Sequence, residues 1–309
     1  MTPTLFVLHF LLMLVVPFLF VGLVNRTRAI WAGRRGQPLL QSLFDLQKLL
    51  RKRPVYSQVT TELFRLGPLV VLATTLVSGL LLPLTGRSAP ISFPYDFVAV
   101  AYLWGLGRLF LILAAMDTGS AFEGMGASRE ASYAALVEPG LFLALGTLAA
   151  ASGHTSFAGM VALGHQTPAL VIITLACLVA LLLVLQFEAA RVPVDDPATH
   201  LELTMIHEVM ILDHSGPDLA ALQYAAAMKM TLCASLIAAL VNPLGTAGPS
   251  LAGALLNIVI TAGVAVGIGL VESLVARLRM RAVPVYALVV AVAGGCAMLV
   301  NLWREGGGR

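Results

Sequence analysis

Between Glu188 and Asp218 the chain gathers Glu188, Asp195, Asp196, Glu202, Glu208, Asp213 and Asp218, seven of its sixteen acidic residues, with His200, His207 and His214 among them. Carboxylates and imidazoles take up and release protons near neutral pH once their surroundings shift them. Two long apolar runs bracket this stretch, so the chemistry open to it is ion handling or the docking of a charged partner. A metal centre fits less well. Histidines seven residues apart lie two helical turns, roughly 10 Å, from one another, too far to share one ion unless another element contributes. His207-Glu208 could open an H-E-x-x-H pair, but position 211 is isoleucine. Hydrogen-bonded interface histidines, or a proton relay, fit the spacing better.

A second set of ionisable groups lies in or beside apolar runs: Arg108, Asp117, Glu138, Glu188, Lys229 and Glu272. A charge at mid-bilayer costs about 2.5–3.5 kcal/mol on insertion scales, so it is usually paired or lined by water. Cys177, Cys233 and Cys296 are dispersed singles inside apolar runs. They form no C-x-x-C and read as packing residues, not as a zinc or iron–sulfur framework.

The elements that must position these groups follow from composition. The 309 residues are 59% hydrophobic and 11% charged, with mean hydropathy +0.91. A soluble core is excluded, because ordinary globular domains carry about 25% charged residues. Long continuous apolar runs predict an all-α polytopic membrane protein, a single integral domain over residues 1–309. Eight spans are expected, at roughly 4–24, 64–84, 97–116, 133–152, 167–187, 221–241, 251–275 and 284–303. The first lacks the basic leader and small-residue cleavage site of a signal peptide and reads as a retained helix.

Basic residues set the orientation. Arg26, Arg28, Arg34, Arg35, Lys48, Arg51, Lys52 and Arg53 follow span 1; Arg129, Arg191, Arg277, Arg279 and Arg281 follow spans 3, 5 and 7. Only Arg87, Arg304 and Arg309 lie opposite. Both termini are therefore expected outside, with two cytoplasmic docking loops at about 25–63 and 188–220. The basic pI of 8.9 reflects this topology and not nucleic-acid binding. Leu39, Leu43, Leu46 and Leu50 predict an amphipathic helix over 38–53, lying in the headgroup plane. Asp195-Asp196-Pro197 starts, and Asp213 to Pro217 stops, a second loop helix over about 197–213. It would present His200, His207 and Glu208 on neighbouring turns and expose Met205, Val209 and Leu212 to a partner. Asp195, Asp196, His200, Glu202, His207 and Glu208 are the expected docking residues.

On this topology Asp117, Glu138, Glu188 and Glu272 sit at cytoplasmic helix ends, and Arg108 and Lys229 about 13 Å deeper. The expectation is one wet, charged pocket opening to the cytoplasm, with buried ion pairs for Arg108 and Lys229 and no comparable charge in the outer half. Glu188 and Arg191, three residues apart, would pair if their helix continued.

These features resemble the subunit-1 family of respiratory complex I: eight spans, a basic amphipathic loop after span 1, and an acidic loop opening Glu188-x-x-Arg191-x-Pro193-x-Asp195. Val194 to Glu208, with Asp117-Thr-Gly-Ser-Ala-Phe-Glu-Gly-Met-Gly-Ala-Ser-Arg129-Glu130, is similar to the branch found in formate hydrogenlyase and hydrogenase-4 type complexes. The resemblance implies a non-catalytic inner-membrane subunit holding no cofactor itself. It would dock the large and small subunits of a nickel–iron hydrogenase and an iron–sulfur protein. Antiporter-like membrane subunits would adjoin it, and Arg108, Asp117, Glu138, Glu188, Arg191, Lys229 and Glu272 would serve the ion pathway. In quinone-reducing relatives these loops line a quinone cavity. There a Pro-Phe-Asp-Leu signature is expected, where this chain has Pro193-Val-Asp-Asp-Pro197. Two other classes stay open: a quinone-site subunit, and a free-standing secondary transporter, for which paired broken helices in two matching halves would be expected.

Overall fold

Thr2 opens the first helix by accepting the Leu5 amide, with Pro3 where no N–H is needed. From there a computed structural model describes residues 2–163, 168–195 and 205–307. The order is α1 (Pro3–Trp31), α2 (Gln41–Leu50), α3 (Glu62–Leu81), α4 (Asp96–Asp117), α5 (Ala121–Ser152), α6 (Phe157–Leu163), α7 (Pro168–Glu188), α8 (His207–Met210), α9 (Gly216–Val241), α10 (Leu251–Leu274) and α11 (Val283–Gly307). Eight of these are long and apolar enough to cross a membrane, and no strand occurs among the described residues. All eight expected spans are present.

The helix α9 is the axis of the bundle: its apolar window is 78% buried, against 33–56% for the others. It packs on α1, α3, α7 and α10. Around it, α3 lies along α4, α5 along α11 and α7, and α1 along α10. Trp104, Leu141, Leu145, Phe157, Val184 and Leu236 belong to one continuous core. The loops after α1, α4, α7 and α10 gather at one end of the bundle, called here the basic end.

Three boundaries differ from expectation, each with a local cause. Helix α5 starts at Ala121, three turns before the expected 133, because the polar stretch Arg129 to Ser132 continues the helix beyond the apolar run. Helix α2 covers only Gln41–Leu50 and packs against α1 and α9, with Ser42 Oγ donating to the Phe18 carbonyl at 3.1 Å. The expected 197–213 helix is not continuous. Asp196, His200 and Glu202 lie outside the described residues, and of 205–213 only His207–Met210 is helical. Nor are Met205 and Val209 exposed as expected. Met205 and Val209 are 1% and 0% exposed, and only Leu212 faces outward. The α5 extension supplies their cover. Gly126 leaves room for Val209, whose Cγ1 would lie 2.3 Å from a Cβ there, and Arg129 donates to the Met205 carbonyl at 3.0 Å.

His214 ends this loop stacked on Phe64, ring centroids 4.0 Å apart at 9°. The expected hydrogen-bonded interface histidine is not found at this position, since neither ring nitrogen has a partner. Burial pushes its pKa from 6.5 down to about 4, against the opposing pull of Asp218 and Asp213. The ring is therefore neutral at pH 7. Because the folded value is depressed, the unfolded chain takes up a proton first as pH falls. Stability is then full above about pH 6.5 and declines towards pH 4, by up to roughly 3 kcal/mol. His214→Phe keeps the stack without the proton, so thermal-unfolding midpoints of this variant should fall less between pH 7 and 4.5 than those of the parent. Equal slopes would mean that His214 is not responsible.

Candidate functional site

Arg108 is the hub of the charged residues. Its helix α4 brings it beneath Trp104, one turn earlier, and Gly107 lets α4 approach Thr74 of α3. Arg108 donates from Nε to Glu130 at 3.0 Å and from its terminal nitrogens to Glu138 and Glu188. Glu188 closes α7 and also meets Lys229 of α9, whose ammonium lies 5.2 Å from the Trp104 ring centre. Side chains of Arg108, Glu188 and Lys229 are 8%, 3% and 17% exposed. The buried pairs expected for Arg108 and Lys229 are thus both formed. A guanidinium suits the hub, because its planar fork offers donors in several directions that an ammonium cannot match.

Two basic side chains face three carboxyl groups here, Glu130, Glu138 and Glu188, a formal excess of one acidic group. That excess is what a proton or a sodium ion would neutralise. A cavity of about 50 Å³ opens onto Arg108, Glu130, Glu188, Lys229, Thr74 and Thr75. Glu138 is different: its side chain is 42% exposed on the lateral face between α4 and α5, beside Tyr102 and Phe142.

The expected single pocket is in fact divided. Asp117 is nine residues beyond Arg108 and turns away to α3, accepting from the Thr61 amide at 2.6 Å and its hydroxyl at 2.9 Å. It caps a helix. Glu272 belongs to a second cluster, with Arg191 at 3.3 Å and Arg28 at 3.7 Å. Glu188 and Arg191 do not pair, because α7 ends at Glu188 and the chain turns through Ala190 at φ +48°. Asp195, expected to face a partner, is 1% exposed in this chain; it holds Arg277 at 2.8 Å and accepts the amides of Ile206 and His207. The far half is not empty of ionisable groups either. Asp96 is fully buried there, accepting the Phe157 amide and the Ser92 hydroxyl.

His207 joins the loop to the hub. It borders the small charged cavity and also a larger one, about 240 Å³, between α1, α2, α9 and the 189–191 turn, where Asn25, Asp45, Arg191, Glu208 and Tyr224 stand. Among the described residues no group of three or more histidine, cysteine or carboxylate side chains could hold a metal. Glu130, a partner of Arg108, was not expected in the cluster because it reads as loop; the signal was its spacing of eight from Glu138, two turns along one helix face.

Residues 4–302 match the NADH dehydrogenase family. The chain is 34% identical over 256 residues to hydrogenase-4 component C of Escherichia coli (strain K12), covering 81% of this chain and 79% of that protein. It is 29% identical over 284 residues to formate hydrogenlyase subunit 4 of the same organism, covering 89% and 90%. A chain in the structure of the membrane-bound sulfane sulfur reductase, an archaeal respiratory membrane complex, superposes with TM-score 0.80 at 20% identity, covering 96% of this chain and 99% of that one.

Proposed function

The chain belongs to the NADH dehydrogenase family, as a complex I subunit 1-like membrane protein, and from that membership we propose that it is the membrane anchor of an energy-converting nickel–iron hydrogenase or formate hydrogenlyase complex. It docks a hydrophilic redox arm and couples it to ion movement. The observation that carries this reading is the Arg108 cluster: a charge-unbalanced, buried group reaching the docking loop through His207. Electrons travel in the partners, the hydrogenase large and small subunits and an iron–sulfur protein. The chain supplies the groups whose charge state responds.

The lateral opening at Glu138 supports membrane partners as well. A carboxylate open to the side of a span is costly in lipid, so a neighbouring antiporter-like subunit covering that face would remove the cost. We place the basic end in the cytoplasm of the inner membrane and both termini outside. Exposed cysteines test this: Ile91→Cys should label from outside in intact cells and Arg35→Cys should not, and the reverse pattern would invert the assignment. Purification of the tagged chain tests the assembly. A nickel–iron hydrogenase pair should come with it, and a chain that purifies alone and transports a solute would instead be a free-standing transporter.

The 240 Å³ cavity favours a second reading, a quinone-site subunit, since it opens between an amphipathic helix and the bundle. Reduction of a quinone analogue by the purified complex would establish it.

A further inference from the structure

Among the buried ionisable groups outside both clusters is one near the far end of the bundle. His9 sits two turns from the start of α1, towards the far end of the bundle, and is 0% exposed. Its Nε2 lies 2.8 Å from the Gly79 carbonyl near the end of α3. A carbonyl only accepts, so Nε2 carries the hydrogen. In the neutral ring Nδ1 is then a bare base, and it has no partner. If packing were all that mattered here, an apolar residue would serve with no orphaned nitrogen to bury.

Hydroxyls on α3 run from the Arg108 cavity to the residue before Gly79. Thr74 and Thr75 border the cavity beside Arg108 and Lys229, and Ser78 follows one turn farther out on the same helix. All three are buried, at 7%, 4% and 0% exposure. Each donates to a carbonyl in its own helix, leaving its oxygen lone pairs free to accept from water. Gly79, which holds His9, is the next residue. From Thr74 to Gly79 is about 7.5 Å along the helix axis. The nearest side chains to where a Gly79 side chain would begin are Met13 and Met228, with Sδ and Cε each 2.7 Å away. Both are unbranched and flexible enough to swing aside.

Resting on the ion-coupling role proposed above, we propose that His9 carries protons between the Arg108 cavity and the outer face, so that the ion this chain conducts is the proton and not sodium. An imidazole nitrogen accepts a proton at Nδ1 and returns it from there, with the Nε2–H bond to Gly79 intact throughout. It offers no set of oxygens to a sodium ion. The two methionines pack against Gly79, beside the step from Ser78 to His9 that the proton would take.

The test uses the whole complex in sealed vesicles, with proton uptake and dye-linked hydrogenase turnover measured on the same sample. His9→Gln keeps an N–H for the Gly79 carbonyl but cannot carry a proton. It should leave turnover unchanged and lower protons moved per hydrogen at least tenfold. Ser78→Ala, which removes one hydroxyl bonded to its own helix, should lower the ratio severalfold and decides the matter if His9→Gln does not assemble. Parent-like ratios in Ser78→Ala and in any assembled His9→Gln complex overturn the proposal. Glu188→Gln, run in parallel, separates the two ideas. Uptake lost in Glu188→Gln but kept in the His9 and Ser78 variants removes only the His9 role. Parent vesicles that take up sodium but no protons also remove only the His9 role, and parent vesicles that move no ion remove both.

Discussion

Replacing Glu188 by glutamine is expected to abolish ion uptake in vesicles whose hydrogenase still turns over with artificial dyes. The reason is charge arithmetic. Arg108 and Lys229 face Glu130, Glu138 and Glu188, and one carboxylate is in excess. Glutamine keeps the shape and an oxygen for Arg108 but brings the cluster to two positive and two negative charges, with nothing left to load. Glu138→Gln makes the same change at the exposed rim, so assembly should suffer less there. Uptake should fall tenfold or more in both. If the carboxylates only staple α4, α5, α7 and α9 together, assembly will be lost and not coupling. Unchanged uptake in both variants ends the coupling role.

Arg108→Ala should remove the chain from membranes. It leaves three carboxylates facing a single ammonium, and breaking a buried pair by deleting one partner costs about 3–5 kcal/mol. Against a total stability of about 5–15 kcal/mol that is a large fraction. Immunoblots of membrane fractions should show at least a fivefold fall. Adding Glu130→Gln and Glu138→Gln restores one negative charge opposite one positive. This triple variant should recover abundance without recovering ion uptake. Normal abundance of Arg108→Ala alone would show that the carboxylates shed their charge without it, and the hub would lose its meaning.

Much of this arrangement is legible in the residues. Spans announce themselves because lipid demands long apolar helices, and the pairing of Arg108 and Lys229 follows from the cost of lone charge at that depth. What stays hidden depends on where helices end. Glu188 and Arg191 look like a helical pair, but α7 stops between them and each finds another partner. Met205 and Val209 look exposed until α5 is known to run on past the apolar segment and cover them. Asp117 and Glu272 share a depth with the cluster but not a direction, and depth alone is what hydropathy reports. His9 and Asp96 escaped notice because each sits near a helix start, where a polar residue looks like a boundary marker.

The length of α5 has a mechanical consequence. Its 32 residues span about 48 Å; Pro139 interrupts the hydrogen-bond ladder near the middle, and beside it Gly140 presses on Val290 of α11 while Gly294 presses back on Leu143. That crossing is a fulcrum. Gly126, the seat of α8, lies about 21 Å from it, Glu130 about 15 Å, and Glu138 beside it. A tilt of about 4° forced at the docking loop would carry Gly126 roughly 1.5 Å and Glu130 roughly 1 Å, yet leave Glu138 almost still. The 3.0 Å contact between Arg108 and Glu130 would then open while the one to Glu138 held. Leverage of this kind needs no moving part inside the membrane other than the α5 segment before Pro139, hinged at that proline.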